Sequence, residues 1–327
     1  MDCKLIGERA FSECKALRSL AIPSSVTELG TGACSGCISL VEVEFDEGIE
    51  IIGERAFYLC TALQQVTIPS SVTKLGYGAF RGCISLVEVE FDQGFEVIGE
   101  SAFSEYIKLA SEVQFNEGLQ IIGGTAFCNC NALRQVTIPS SVTKLGNGAF
   151  HSCINLAEVQ FNEGLEIIGK RAFIGCTALR SVTIPSSVTE LEEHAFYDCT
   201  NLTEVILLGG DILLNHGFLD RGLSSDAGAL NKERLNELIG SSPSAFLDCP
   251  LTTLKITIPR ALSERVARLP QECRLSIEGR IRDLHRVELA QDDTILACFS
   301  IIRRSPGGMD VEDTDNQTAQ SLHQIKR

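Results

Sequence analysis

The sequence predicts an α/β solenoid, one elongated body of stacked coils in which strands alternate with short helical turns. Three observations carry that reading. A small residue followed by an aromatic one recurs at Ala10-Phe11, Ala56-Phe57, Ala79-Phe80, Ala102-Phe103, Ala126-Phe127, Ala149-Phe150, Ala172-Phe173 and Ala195-Phe196, and Ala33-Cys34 fills the remaining place. The steps are 23 residues with a single step of 24, and a fixed period of this length marks stacked repeats. Inside each period the apolar positions follow one template, as in Leu63, Val66, Ile68 or Leu86, Val89, Phe91, whose last two alternate as strand residues do. The segment Gly-x-x-Ala-Phe-x-x-Cys has helical spacing, with room for no more than a turn or two.

Taken in order, the chain begins inside a repeat. Leu5-Ile6-Gly7-Glu8-Arg9-Ala10-Phe11 matches Ile51-Ile52-Gly53-Glu54-Arg55-Ala56-Phe57 almost residue for residue, with no amphipathic cap before it. Terminal repeats normally carry a polar cap, so the start reads as truncated, and a lost upstream segment could hold a signal peptide. Residues 1–207 form the array. Its coils alternate between two endings: Ile-Pro-Ser-Ser-Val-Thr, as at Ile22 to Thr27, and Phe followed by Asp or Asn and then Gly, as at Phe45-Asp46-Glu47-Gly48. Proline has no N–H to donate onward, and Asp or Asn before Gly favours a turn, so both endings stop a strand.

The array has one fault and one ending. At Tyr106 the repeated Cys is replaced, and the extra residue before Val113 predicts a local bulge. The Gly after the second apolar pair (Gly30, Gly53, Gly76, Gly99, Gly123, Gly146, Gly169) becomes Glu192, and the pattern breaks at Leu207-Leu208-Gly209-Gly210. Residues 208–243 read as an insertion with one helix, Lys232 to Ile239, capped by Asn231. Residues 244–302 read as a last coil plus a helical cap, with helices from Ser263 to Pro270 and from Ile277 to Leu289, and Ile295 to Ile302 closing the coil. Residues 303–327 lack periodicity and read as disordered.

Residues 5–207 resemble the BspA-like class of leucine-rich repeat proteins, found at bacterial and protist surfaces, whose unit has the form Ala-Phe-x-x-Cys-x-x-Leu-x-x-Val-x-Ile-Pro. The resemblance implies a right-handed horseshoe with a parallel β-sheet on one face and irregular or short helical segments on the other; it does not imply an enzyme. The run Ser263 to Leu275 is also similar to the tail of diatom leucine-rich repeat proteins.

Charge narrows the partners. Residues 1–207 hold 13 Lys and Arg against 26 Asp and Glu, so the array argues against nucleic acid and anionic membrane, both of which need clustered cations. A protein partner of basic character is the expectation. No window has the ~18 unbroken apolar residues of a membrane helix, so membrane insertion is not expected; oligomeric state is left open.

Chemistry-bearing residues are explained by the repeat. Nine of the fourteen Cys (Cys14, Cys37, Cys60, Cys83, Cys130, Cys153, Cys176, Cys199, Cys249) share one repeat position, which predicts buried free thiols rather than zinc ligands. Cys34-Ser35-Gly36-Cys37 has metal-like spacing, but Cys34 merely stands where other coils have Phe. His151, His194, His216, His285 and His323 are scattered, with no catalytic order around them. No catalytic residue, cofactor site or metal site is therefore expected. Reduced thiols in number point to the cytoplasm; a cell-surface or extracellular location follows instead if an upstream signal peptide belongs to the chain. Asn201-Leu202-Thr203 and Asn316-Gln317-Thr318 are glycosylation sequons, relevant only in that second case.

The remaining signal is the outer side of the strands. Residues flanking the inward Val stack from coil to coil: Glu42 and Glu44, Gln65 and Thr67, Glu88 and Glu90, Glu112 and Gln114, Gln135 and Thr137, Glu158 and Gln160. Adjacent strands lie ~4.8 Å apart, so acidic pairs recur about every 9.6 Å. The plain reading is that Glu alternates with neutral residues to keep an exposed sheet soluble. The functional one is a concave surface for protein–protein interaction, in a scaffold or recognition module, with an adhesion or receptor ectodomain fragment as the alternative.

Overall fold

A computed structural model of the chain describes residues 4–92, 94–105, 112–208, 244–258, 287–289 and 295–300. It is a parallel β-solenoid whose coils are joined by three ladders of backbone hydrogen bonds. The first is built of four-residue strands, one per coil: Ser19–Ile22, Glu42–Phe45, Gln65–Ile68, Glu88–Phe91, Gln135–Ile138, Glu158–Phe161, Ser181–Ile184 and Glu204–Leu207, with the fifth coil shortened to Glu112–Val113. The second is an unbroken nine-stranded parallel sheet of two-residue strands, from Leu5–Ile6 to Glu190–Leu191.

The third ladder replaces the expected helical turns, since no helix is found among the described residues. In coil three, Arg55 and Leu59 have φ of 52° and 57°, and a left-handed residue at every fourth position ends any right-handed run. The N–H groups of Arg55, Phe57 and Leu59 donate to Tyr77, Ala79 and Arg81 of the next coil at 2.7–2.9 Å. Those of Ala56, Tyr58 and Cys60 close tight turns onto the residue three back. Half of the backbone donors thus bond between coils, where a helix would have kept them inside.

The core between the ladders is uniform. Phe57, Phe80, Phe103, Phe127, Phe150, Phe173, Phe196 and Phe246 form one column, ring centroids 5.1–5.5 Å apart and planes within 15°. Beside it the inward Val, Leu and Ile of each coil are buried. In coil one, Phe11, Leu17 and Leu20 are only half-buried, since neighbours cover them on one side.

The two coil endings interlock, which explains their alternation. Across a step from a Pro-Ser-Ser coil to a Gly coil the four-residue strands pair along their full length, as Gln65–Ile68 with Glu88–Phe91. At the reverse step pairing is cut short or lost: Glu42–Phe45 and Gln65–Ile68 share the single pair Glu42 and Gln65, Glu112–Val113 meets Gln135–Ile138 over two pairs, and Glu158–Phe161 lies in a different sheet from Ser181–Ile184. There a carboxylate takes over. Glu163 accepts hydrogen bonds from Ser186 N, Ser186 Oγ and Ser187 N at 2.9–3.1 Å, and Gly164 N donates to Ser187 Oγ at 3.0 Å. Glu117 repeats this with Ser140 and Ser141, and Glu47 reaches Ser70. Burial pushes the Glu163 carboxyl up, but the donors of Ser186 and Ser187 together hold it below the usual range. Gly164, at φ 119°, has no alternative: a Cβ there would lie 2.0 Å from Ser140 O.

The alternation slips once. Coils four and five both carry the Phe ending, Phe91-Asp92-Gln93-Gly94 and Phe115-Asn116-Glu117-Gly118, and Gln stands in place of Glu where no Ser-Ser follows. Between these coils the four-residue ladder is interrupted, and the Asn116 side-chain amide donates to Phe91 O. The two-residue sheet and the Phe column run through without a break. Tyr106 and the residues of the expected bulge lie outside the described residues.

After Leu207 the next described segment, Ser244 to Ile258, stacks directly on coil nine: Phe196 N donates to Ala245 O at 2.7 Å, and Thr253–Ile258 pairs parallel with Glu204–Leu207. The residues between 208 and 244, including the helix expected at Lys232 to Ile239, lie outside the described set, as do the helix expected from Ser263 and the tail 303–327. The sheet end is not closed by helices where it is described. Val287–Leu289, expected as the end of a helix, is a strand, and Ile295–Ser300 pairs antiparallel with both it and Thr253–Ile258. An antiparallel strand satisfies the N–H and C=O groups that a last parallel strand would expose.

Candidate interaction surface

Alternation along each four-residue strand decides which side chains are free. In Gln65–Ile68, Val66 and Ile68 are buried and Gln65 and Thr67 exposed. Glu42, Glu44, Glu88, Glu90, Glu158 and Gln160 are likewise exposed on their strands, as is Glu112, while Gln135 and Thr137 are half-buried. Gln114 is exposed just past its shortened strand. Parallel registry puts Gln65 between Glu42 and Glu88, Thr67 beside Glu90, and Gln135 between Glu112 and Glu158. No two carboxylates of these registered pairs are direct neighbours, which avoids the cost of like charges side by side. Thr67 Oγ1 donates to Glu90 Oε2 at 3.1 Å and fixes one of them.

Over coils two to four this face forms an open groove of about 380 Å³. Glu42, Glu44, Glu88 and Glu90 line it as the strand pattern predicts, and Glu47 and Asp92, from the turns, join them. Sequence reasoning missed those two because it counted only strand positions. It also missed a set of exposed apolar side chains: Ile38, Val41, Ile84 and Val87, four and one residues before the strands of coils two and four, are each at least 40% exposed. The signal was present, since Cys-Ile-Ser-Leu-Val occurs in these two coils alone.

Cys14, expected to be buried, is exposed in the first coil; the other thiols at this repeat position are held as the repeat predicts, with a hydrogen bond added. Cys60, Cys83, Cys153, Cys176 and Cys199 are buried, and each Sγ donates to the carbonyl of the Phe, or of Cys34, in the preceding coil at 3.1–3.2 Å. Burial pushes the Cys37 thiol up to about 11, so these groups are neither nucleophiles nor ready ligands. Among the described residues no three His, Cys, Asp or Glu come together as a metal would need. Cys128 and His151, 23 residues apart, do meet, Sγ to Nδ1 at 3.6 Å. Burial raises Cys128 to about 11 and lowers His151, which Arg171 lowers further; both stay neutral, the opposite of an activated thiolate–imidazolium pair. Of the two sequons, Asn201 spends its amide on Thr177 O at 2.7 Å, and Asn316 lies outside the described residues.

Coil after coil of this geometry is what a repeat family looks like, and one family's description, BspA-type leucine-rich repeat region, matches residues 2–110 and 105–210 in six copies. The chain belongs to that family. The BspA-type repeats therefore cover coils one to nine and stop where the pattern breaks at Gly209-Gly210. No curated protein sequence matches the chain. Among solved structures it is similar to a leucine rich cell surface protein from Faecalibacterium prausnitzii, at 26% identity over 78% of this chain and 64% of that one, with a TM-score of 0.45. It is similar to the pneumococcal vaccine antigen PcpA at 22% identity over 63% and 65%, with a TM-score of 0.44, and to a leucine-rich repeat protein of T. pallidum at 27% over 59% and 74%, with a TM-score of 0.40. The chain spans less than two thirds of the length of the first two of these neighbours.

Proposed function

We propose that the chain is a non-enzymatic recognition module that uses the face of its four-residue strands, read from the sequence as concave, to bind a basic protein segment. One observation carries the reading. The strands of coils two to four carry a groove lined by six carboxylates, and the residues leading into two of those strands, Ile38, Val41, Ile84 and Val87, leave apolar side chains exposed; an interface needs apolar contact for affinity as well as charge for steering. Segments built only to stay soluble would carry the charges without the exposed apolar residues. The test begins with partners captured from lysate by the full chain. Replacing Glu42, Glu44, Glu88, Glu90 and Glu158 by Gln preserves size and removes five charges, and it should slow association while leaving the fold intact. Wild-type binding should weaken as salt rises to several hundred millimolar, where the screening length falls to roughly 5 Å. A captured partner that binds the Gln variant with the same affinity and salt dependence overturns the reading.

A second reading, part of an adhesion or receptor ectodomain at the cell surface, is favoured by membership of the BspA-type family. Labelling of intact cells with a membrane-impermeant reagent separates it from a cytoplasmic scaffold.

A further inference from the structure

The ladder of tight turns carries a feature of opposite sign. At the first left-handed position of the turns, coils one and three place the exposed Arg9 and Arg55 while coil two has Gly32. Because Gly32 has no side chain, a hollow of about 400 Å³ opens between the two arginines. Thr31 and Ser35 stand on its flanks in coil two, and Tyr58 and Arg81 complete the wall in coils three and four. The stem of Arg9 lies over Gly32, where an added Cβ would be 3.4 Å from Arg9 Cγ.

The two central guanidinium groups are available. Arg9 is 4.0 Å from Glu8 and Arg55 3.7 Å from Glu54, both too long for hydrogen bonds, with arginine side chains 74% and 51% exposed. Arg55 is steadied from the side by the Tyr77 ring, 5.3 Å from its centroid. Arg81 is engaged through Nη2, which donates to Glu105 at 2.7 Å, but its Nε is buried and has no hydrogen-bond partner among the described residues. Three forked cations and two hydroxyls around a floor without a side chain are the donor set that an oxyanion with several oxygens requires. Carboxylates belong to neighbouring positions and are not part of the lining.

We propose that this hollow binds a tetrahedral oxyanion, the sulfate or phosphate group of a small ester. The ligand is small because the array around the hollow is acidic, with 26 Asp and Glu against 13 Lys and Arg over residues 1–207, so an extended polyanion would be repelled beyond the hollow itself, at distances within the ~8 Å screening length. This site is separate from the strand face and stands or falls independently of the function proposed for it.

The experiment titrates the full chain with inorganic phosphate and, separately, inorganic sulfate in chloride buffer, following amide shifts by NMR. Saturable shifts at Thr31, Gly32, Ser35 and Arg55 are expected, with half-saturation at roughly 1–10 mM, as suits two or three exposed charge-assisted contacts. The tighter of the two anions names the ester; if phosphate wins, its affinity should rise between pH 5.5 and 7.5 as the second proton leaves. Two variants test the assignment. Arg9→Gln with Arg55→Gln should weaken binding at least tenfold. Gly32→Gln should do the same by filling the hollow, and it should fold, because Ser101, Thr125, Arg171 and His194 occupy the same left-handed position in other coils. Absence of saturable shifts with both anions, or wild-type affinity in either variant, overturns the proposal.

Discussion

Cys83 Sγ donates to the carbonyl oxygen of Phe57, one coil back, at 3.1 Å, and that contact explains a choice that burial alone does not. The Phe57 oxygen already accepts the N–H of Cys60 in its own coil, and a carbonyl has room for a second donor. Alanine would fit the core but leave this acceptor half used; serine would reach less far and bury a stronger polar group. Cys153→Ala should therefore cost about 1–2 kcal/mol, combining a small cavity with a lost hydrogen bond. Denaturant unfolding measures it, and a change within error would reduce the thiol to mere filler.

The same ladder predicts alkaline sensitivity. Burial raises the Cys37 and Cys128 thiols to about 11 from a value of 9.0 in an unfolded chain, and Cys60, Cys176 and Cys199 are raised further. A raised thiol favours the folded state fully below pH 9, and that contribution is lost as pH climbs through the folded value. Stability should fall from about pH 9 upward, by up to ~1.4 kcal/mol per pH unit for each thiol that ionises only on unfolding. Melting temperatures from pH 8 to 10.5 check the slope, and Cys176→Ala should flatten it. Thiol titration in denaturant without reductant should find these cysteines free.

The carboxylate that grips two serines titrates in the other direction. Glu163 is held below its ordinary value by donors from Ser186 and Ser187, so its contribution is complete above the unfolded carboxylate value of 4.5 and disappears as pH falls through the folded one. Glu163→Gln should cost about 0.5–1.5 kcal/mol at pH 7, and the difference from wild type should vanish in acid. A double-mutant cycle with Ser186→Ala isolates the pair; additivity within error would mean that the two coils are held by something else.

The fold was legible because the same apolar template recurs: Phe57, Leu63, Val66 and Ile68 announce a coil, and repetition turns a weak local signal into a strong one. The helical turns were misread because φ is not written in the residue type. Arg55, Leu59, Thr125 and His194 all sit in the left-handed region, and only the glycines of the same two columns, Gly32, Gly78 and Gly148 in one and Gly36, Gly82 and Gly175 in the other, hint at it. The outward Glu and Gln of the strands could be assigned from alternation alone. Glu47, Asp92, the Arg9–Arg55 hollow and the Cys128–His151 contact could not, because each depends on which side chains meet across a spacing of about 23 residues outside the strands.

Coupling between coils four and five should be the weak link of the array. Stability in a solenoid is a sum over neighbouring repeats, and at this junction, as between coils seven and eight, the four-residue ladder contributes no pairing; between coils seven and eight Glu163 grips Ser186 and Ser187 instead, whereas coil five has no Ser-Ser for coil four to hold. The junction is joined by the pair of short strands Val97–Ile98 and Ile121–Ile122, the turn ladder from Phe80 N to Ala102 O, the Asn116 amide on Phe91 O, and the stacking of Phe80 on Phe103. Gly123 directly follows the second of these strands. A Cβ added to it would sit 2.7 Å from Glu100 N, Gly99 C and Ile98 O, all backbone atoms of coil four that have nowhere to move. Gly146 makes the equivalent approach between coils five and six, 2.4 Å from Gly124 N, but there the strands Glu112–Val113 and Gln135–Ile138 also pair. Either substitution by Ala should cost about 1–3 kcal/mol, as overpacking does. The shape of the melt should differ. Gly123→Ala should split unfolding into two transitions, one for the coils before the junction and one for those after it, while Gly146→Ala should lower a single one. Calorimetry of the two variants decides, and a single transition in Gly123→Ala would show that the Phe column and the turn ladder suffice to carry cooperativity across the junction.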